Sequence, residues 1–183
     1  MFFSWLSLLI IIYIKKSFSA NNDLPTLYEY YTKGGIKSEL EAEGDYFKLN
    51  GKLLRILSGS FHYFRVLPEQ WKDRLSKIKA AGLNTVQFYS PWNLHEEYSN
   101  EFNFKDQLDL DKFLTEIKQT DMLVMYRPGP YICGEWENGG IPAWLLRDPN
   151  NLKIRTAYGS YLDAIANYFK KLAPIIKIKL NNN

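Results

Sequence analysis

Between residues 45 and 176 the chain three times alternates a short β-forming run with an amphipathic helix, and this restricts the fold more than any other feature. The first strand leads into SGSFHYFR. Pro68 then opens a helix with Trp71, Leu75 and Ile78 at helical spacing and Gly82 where a left-handed cap is wanted. TVQFY is the second strand, and the helix after it carries Leu110, Phe113, Leu114 and Ile117 on one face behind a cap at Asp109. LVMY is the third. Its helix begins near Ser160, with Asp163 three positions on, and turns Tyr161, Ile165, Tyr168, Phe169 and Leu172 inward. Short strands without a polar-out face belong in a parallel sheet covered by helices, either doubly wound or closed into a barrel. The loops decide between the two. A dinucleotide-binding sheet needs a glycine-rich phosphate turn after its first strand, whereas SFHYFRVLPEQW is aromatic and bulky. Residues able to carry chemistry follow every strand instead, in HYFR, YSPWNLHEE and RPGPYICGEWENGG. A barrel assembles its site in this way, from the C-terminal ends of several strands. We therefore expect an α/β fold comprising the first three βα units of a (β/α)8 TIM barrel, incomplete and preceded by a β-hairpin.

The hairpin is legible in DYFKLNGKLLRILSGS, where Asn50-Gly51 suits a two-residue turn needing positive φ, and its second arm is expected to run on toward SGSFHYFR. Residues 1–19 read as a secretory signal peptide. They are apolar from Phe2 to Ile14, shorter than the roughly 20 residues of a spanning helix, and end in the small-x-small pattern SFSA. Lys15 and Lys16 follow the run and no basic residue precedes it, an arrangement that also fits an uncleaved anchor. A membrane is expected as a partner only if that segment is retained. A net charge of +3, from 23 basic and 20 acidic residues well mixed, offers no basic stripe for a phosphate backbone and argues against nucleic acid. The single Cys133 excludes an internal disulfide. With only His62 and His95 besides, the chain has too few soft ligands for a structural zinc, and no spacing joins those histidines to Glu96 or Glu97 as a metal site.

RPGPYICGEWENGG, residues 127–140, follows the third strand. Pro128 and Pro130 lack amide donors and end the strand ladder, and the glycines let the backbone pass close to something. Glu135, between Gly134 and Trp136, reads as functional and Glu137 as solvated. Two carboxylates suit glycoside hydrolysis, yet residues two apart on one segment approach a sugar ring from the same side, and displacement needs opposite sides. They make a poor catalytic pair. Tyr63, Tyr89, Trp92 and Trp136 are sugar platforms or core fillers.

SGSFHYFRVLPEQWKDRLSKIKAAGLNTVQFYSPWNLHEE, then FNFKDQLDLDKFL, then RPGPYICGEWENGGIPAWLL and LKIRT resemble, in order, glycoside hydrolase family 35, the β-galactosidases of lysosomes and secretions. The resemblance implies a retaining (β/α)8 barrel that removes terminal β-linked galactose with one Glu as acid/base and another as nucleophile, without a cofactor. It implies a β-galactoside or galactose as partner and a place in the secretory pathway, in the lysosome or vacuole or outside the cell.

Carried over by position, Tyr89 matches a tyrosine lining the galactose subsite, and Glu135 matches a glutamate that holds galactose hydroxyls. Cys133 and Gly134 occupy the adjoining sugar-facing turn. Phe88, Ser90 and Gly134 depart from the family pattern, and the resemblance places these departures around the subsite. The family's acid/base lies in an ENEYG pattern on a fourth strand and its nucleophile later still, so no residue of this chain is assigned a catalytic role. The division expected is a signal peptide (1–19), an N-terminal extension (20–44), a partial glycosidase barrel (45–176) and a polar tail (177–183) outside the family pattern. Such a chain is expected to be a truncated, inactive β-galactosidase, unstable or aggregation-prone alone. A non-catalytic galactose-binding module or another barrel hydrolase are the alternatives.

Overall fold

The computed structural model describes residues 10–12, 24–147 and 153–181. In chain order these form β1 (Ile10–Ile12), α1 (Leu27–Thr32), β2 (Leu40–Glu43), β3 (Tyr46–Leu49), β4 (Lys52–Leu54), β5 (Ser58–Ser60), α2 (Pro68–Ala80), β6 (Thr85–Tyr89), α3 (Trp92–His95), α4 (Leu110–Gln119), β7 (Leu123–Arg127) and α5 (Gly159–Asn181). The fold is mixed α/β. β5, β6 and β7 lie side by side and parallel, with Thr85 opposite both Ser58 and Leu123. β1 pairs antiparallel with the outer edge of β7, Ile11 opposite Met125. The remainder of the segment expected as a signal peptide lies outside the described residues. Among those residues no helix is long and apolar enough to cross a membrane.

The helices form where their sequence dictates. Pro68 sits in the first turn of α2, and Gly82 follows that helix at φ +88°. The Asp109 carboxylate accepts from the Lys112 amide at 2.8 Å, capping α4. Leu110, Phe113, Leu114 and Ile117 of α4 are all buried, as are Trp71 and Leu75 of α2 and Tyr161, Tyr168 and Leu172 of α5. Strand alternation divides the parallel sheet into two faces. Val86, Phe88, Val124 and Tyr126 are buried in the main core, and Phe88 meets Phe113 of α4 edge-on at 5.1 Å. The opposite face carries Thr85, Gln87, Tyr89, Leu123, Met125 and Arg127. That face therefore has polar positions the strand pattern did not announce.

Two N-terminal features differ from the sequence-based expectation. The hairpin is a three-stranded antiparallel sheet, β2-β3-β4, because Leu40–Glu43 adds a strand to β3 through a turn at Gly44-Asp45. The Asn50-Gly51 turn is where it was expected, with φ +50° and +73°. The second arm does not continue into the parallel sheet. β4 ends at Leu54, and Ser58–Ser60 begins a separate strand paired with β6. Asn84 fixes this change of sheet, accepting from the Leu57 amide at 2.9 Å and donating to the Arg55 carbonyl at 2.7 Å. Tyr31, Leu49, Leu54 and Leu123 form a small second core that joins the antiparallel sheet to the start of β7. The start of the parallel sheet is thus sealed, leaving its C-terminal end as the rim. At the other terminus, residues 177–181, expected within a polar tail, continue α5.

Candidate functional site

The rim is built from the residues that end each parallel strand. Tyr89 and Arg127 are the last residues of β6 and β7 and stand opposite each other in the ladder. Arg127 donates to the Tyr89 phenol oxygen, and its guanidinium lies over the same ring, 4.6 Å from the centroid. Beyond β7 the chain folds back over Tyr89 through Cys133, Gly134 and Glu135, at φ +54°, +61° and +47°. Three successive left-handed residues make a tight concave turn, and only one of them is glycine. Gly134 rests on the Tyr89 ring: a Cβ there would lie 3.6 Å from Tyr89 Cε2, ordinary van der Waals contact. The structure thus brings Tyr89, Cys133, Gly134 and Glu135 to one place, with Cys133 and Glu135 exposed.

Backbone bonds frame this turn. The Trp136 amide donates to the Cys133 carbonyl at 3.1 Å, and the Ile132 amide donates to the Gly139 carbonyl at 2.8 Å. Gly139 is sterically required, since a Cβ there would come within 2.0 Å of the Tyr131 ring. Trp136 donates from its indole to Asn93 Oδ1 at 3.0 Å and meets Phe64 edge-on at 4.9 Å. Arg65, from the loop after β5, donates to the Gly134 carbonyl and, at 3.4 Å, to the Glu135 carbonyl. Glu137 is exposed on the same segment as Glu135, two residues on.

The two histidines fall in different environments. His62 packs against Phe64 at 5.5 Å and Tyr89 at 5.1 Å, with a buried Nδ1 that finds no hydrogen-bond partner. Burial first, and the neighbouring Arg65 charge second, hold its pKa below the ordinary value. His95 is fully buried. Its Nδ1 lies 2.7 Å from the Asn103 carbonyl, which can only accept, so Nδ1 carries the proton and Nε2 accepts from the Tyr63 hydroxyl at 2.5 Å. Burial lowers the His95 pKa to about 4 against the opposing effect of the Asn103 bond. Glu96, beside it, accepts from the Trp92 indole at 2.6 Å and the Asn100 amide at 2.8 Å. His95 and Glu96 are therefore core polar groups. Among the described residues no group of three or more His, Cys, Asp or Glu is placed to hold a metal ion.

Ser90 completes the network under the rim. Its hydroxyl accepts from Tyr126 at 2.8 Å and lies 3.2 Å from the Tyr63 hydroxyl. The family resemblance places Ser90 and Phe88, with Gly134, around the subsite. Both instead face the core, because strand alternation sends them the opposite way, and Gly134 alone of the three departures touches Tyr89. Sequence reasoning passed over Arg65 and Arg127. The signal available was their position, each closing the strand-end run in which it stands, HYFR and LVMYR.

A family model described as glycosyl hydrolases family 35 matches residues 46–183. Beta-galactosidase-1-like protein of Mus musculus is 49% identical over 168 residues, covering 88% of this chain and 26% of its own length. Beta-galactosidase 8 of Oryza sativa subsp. japonica is 45% identical over 141 residues, covering 77% and 21%. Human beta-galactosidase is 43% identical over 145 residues, covering 79% and 21%. The chain spans about a quarter or less of the length of these curated relatives.

Proposed function

This chain belongs to glycosyl hydrolases family 35, and from that premise we propose that its rim forms one wall of a site for a terminal, non-reducing β-D-galactose residue. β5, β6 and β7 with their helices are read as the first three βα units of a (β/α)8 barrel, whose sites form at C-terminal strand ends. One observation supports this most strongly. Tyr89, from the end of β6, and the Cys133–Gly134–Glu135 turn, 44 residues further on, form a single surface with Gly134 against the Tyr89 ring. Arg127 already lies over the Tyr89 ring, and the phenol hydroxyl, which accepts from Arg127, can still donate to a sugar oxygen. The exposed Glu135 carboxylate can accept two adjacent hydroxyls, and charge-assisted bonds of this kind are the strong ones. The wider activity is retaining β-galactoside hydrolysis. No described residue is given the part of acid/base or nucleophile, since Glu135 and Glu137 share one segment and Glu96 is fully engaged in the core. Passage through the secretory pathway, toward a lysosomal, vacuolar or extracellular destination, is the matching location, carried by the apolar run at residues 2–14. Calorimetric titration of the chain with galactose and with its epimer glucose tests the reading. Galactose should bind more tightly, and equal binding of both sugars or of neither would remove it.

A further inference from the structure

Building on the galactose-site reading, we infer that Arg65 is a positioning residue that holds the Cys133–Gly134–Glu135 turn in the shape that presents Glu135 to the sugar. The turn has a conformational problem to solve. Cys133 and Glu135 both carry a Cβ and both stand at left-handed φ, a conformation that costs roughly 1–2 kcal/mol for a residue other than glycine. Such a shape persists only where the surroundings over-determine it. Within the turn, the Trp136 amide reaches the Cys133 carbonyl, and the carbonyls of Gly134 and Glu135 accept from a side chain instead. Both meet the same guanidinium, that of Arg65, reaching across from the loop after β5.

The guanidinium is itself held in place. Its Cζ lies 5.4 Å from the Phe64 ring and 5.4 Å from the Trp136 ring, and Phe64 and Trp136 also touch each other. Two rings thus flank the cation. Both bonds leave one nitrogen, Nη2, whose hydrogens lie fixed in the guanidinium plane, whereas a lysine ammonium rotates on a flexible stem and holds the pair less defined. Arg65 is also exposed and outside the main core, so its contacts are not explained by hydrophobic packing. The geometry couples the first strand's loop to the third strand's turn. Glu135 then depends on a residue 70 positions earlier for its direction.

The test uses the full chain and three forms, wild type, Arg65→Met and Arg65→Lys. Galactose affinity is measured beside two sugar-independent reporters of the turn: hydrogen exchange of the Trp136 amide and the reaction rate of the Cys133 thiol with a disulfide reagent. Cys133 is the only cysteine, so the thiol signal is unambiguous. In Arg65→Met both reporters should quicken about tenfold and galactose affinity should fall about tenfold, with the melting temperature close to wild type. Arg65→Lys should recover only part of the affinity. Unchanged reporters in both variants overturn the inference, as do quickened reporters with undiminished affinity. If Arg65→Met does not fold, Arg65→Lys carries the same comparison. A wild-type chain that binds no galactose refutes the sugar-site reading, and the inference built on it falls too. A wild type that binds while the variants bind equally well refutes the inference alone.

Discussion

Tyr89 and Ser90 are consecutive residues that belong to two regions built on opposite principles. Ser90 faces the core, in a buried set of hydroxyls and one imidazole where donors and acceptors match: Tyr126 donates to Ser90, Tyr63 to His95, and His95 to Asn103. Burial raises the pKa of the Tyr63 and Tyr126 phenols and lowers that of His95, so every member stays neutral. Tyr89 faces the rim. There the backbone is left-handed at three successive positions, Glu135 is exposed, and cations from Arg65 and Arg127 brace the surface from outside. The core removes charge and satisfies polarity to hold strand ends in register. The rim keeps charge and open polarity, on which the proposed sugar site rests, and takes its shape from neighbouring elements. The difference teaches that mutations separated by one residue can move stability or binding almost independently.

The largest break in that contrast is expected on the core side. Phe113 touches Phe61, Tyr63, Trp71 and Phe88 through its ring, and Phe113→Ala should lower unfolding free energy by about 3–5 kcal/mol in urea denaturation. Acid should act next. The folded pKa of His95 is depressed to about 4 from 6.5, so its contribution is complete above pH 6.5 and is lost as pH falls toward 4. The loss is on the order of 3 kcal/mol, and His95→Gln should flatten that part of the stability–pH curve. An unaltered curve would place the buried imidazole elsewhere in the acid response. On the rim, Glu135→Gln should weaken galactose binding by roughly 1.5–3 kcal/mol while leaving the melting curve in place. The smallest effect belongs to Gly134→Ala. Its Cβ has room against Tyr89, but at φ +61° the substitution should cost about 1–2 kcal/mol, read as a small drop in melting temperature.

Much of this organisation was legible because it is local. Helical spacing gave α2, α4 and α5, Pro68 and Gly82 gave the ends of α2, Asp109 gave the start of α4, and Asn50-Gly51 gave the β3–β4 turn, whereas Ser160, expected to cap α5, lies inside that helix. The residues gathered at the rim were found as motif positions after strands, and through a family resemblance rather than through spacing. Three features were hidden for physical reasons. The break between β4 and β5 leaves no mark in periodicity, because two short strands in different sheets read as one long arm until Asn84 is seen to pin the crossing. The capping box of α1, Thr26 with Glu29, stands before a helix of six residues with only Tyr31 buried, too brief for an apolar stripe. Arg65 and Arg127 act over 70 and 38 residues of sequence, and no single-chain pattern states which carbonyl or phenol a cation will meet.

The central claim is that the Tyr89 ring and the Cys133–Glu135 turn form one sugar-holding surface. Its most direct test is protein-observed NMR of the chain titrated with galactose, followed at the backbone amides of residues 89 and 132–136 and at the Tyr89 ring. Saturable shifts confined to those positions, weaker with glucose, are the predicted result. Shifts absent from both segments, or present in only one of them, would contradict the account.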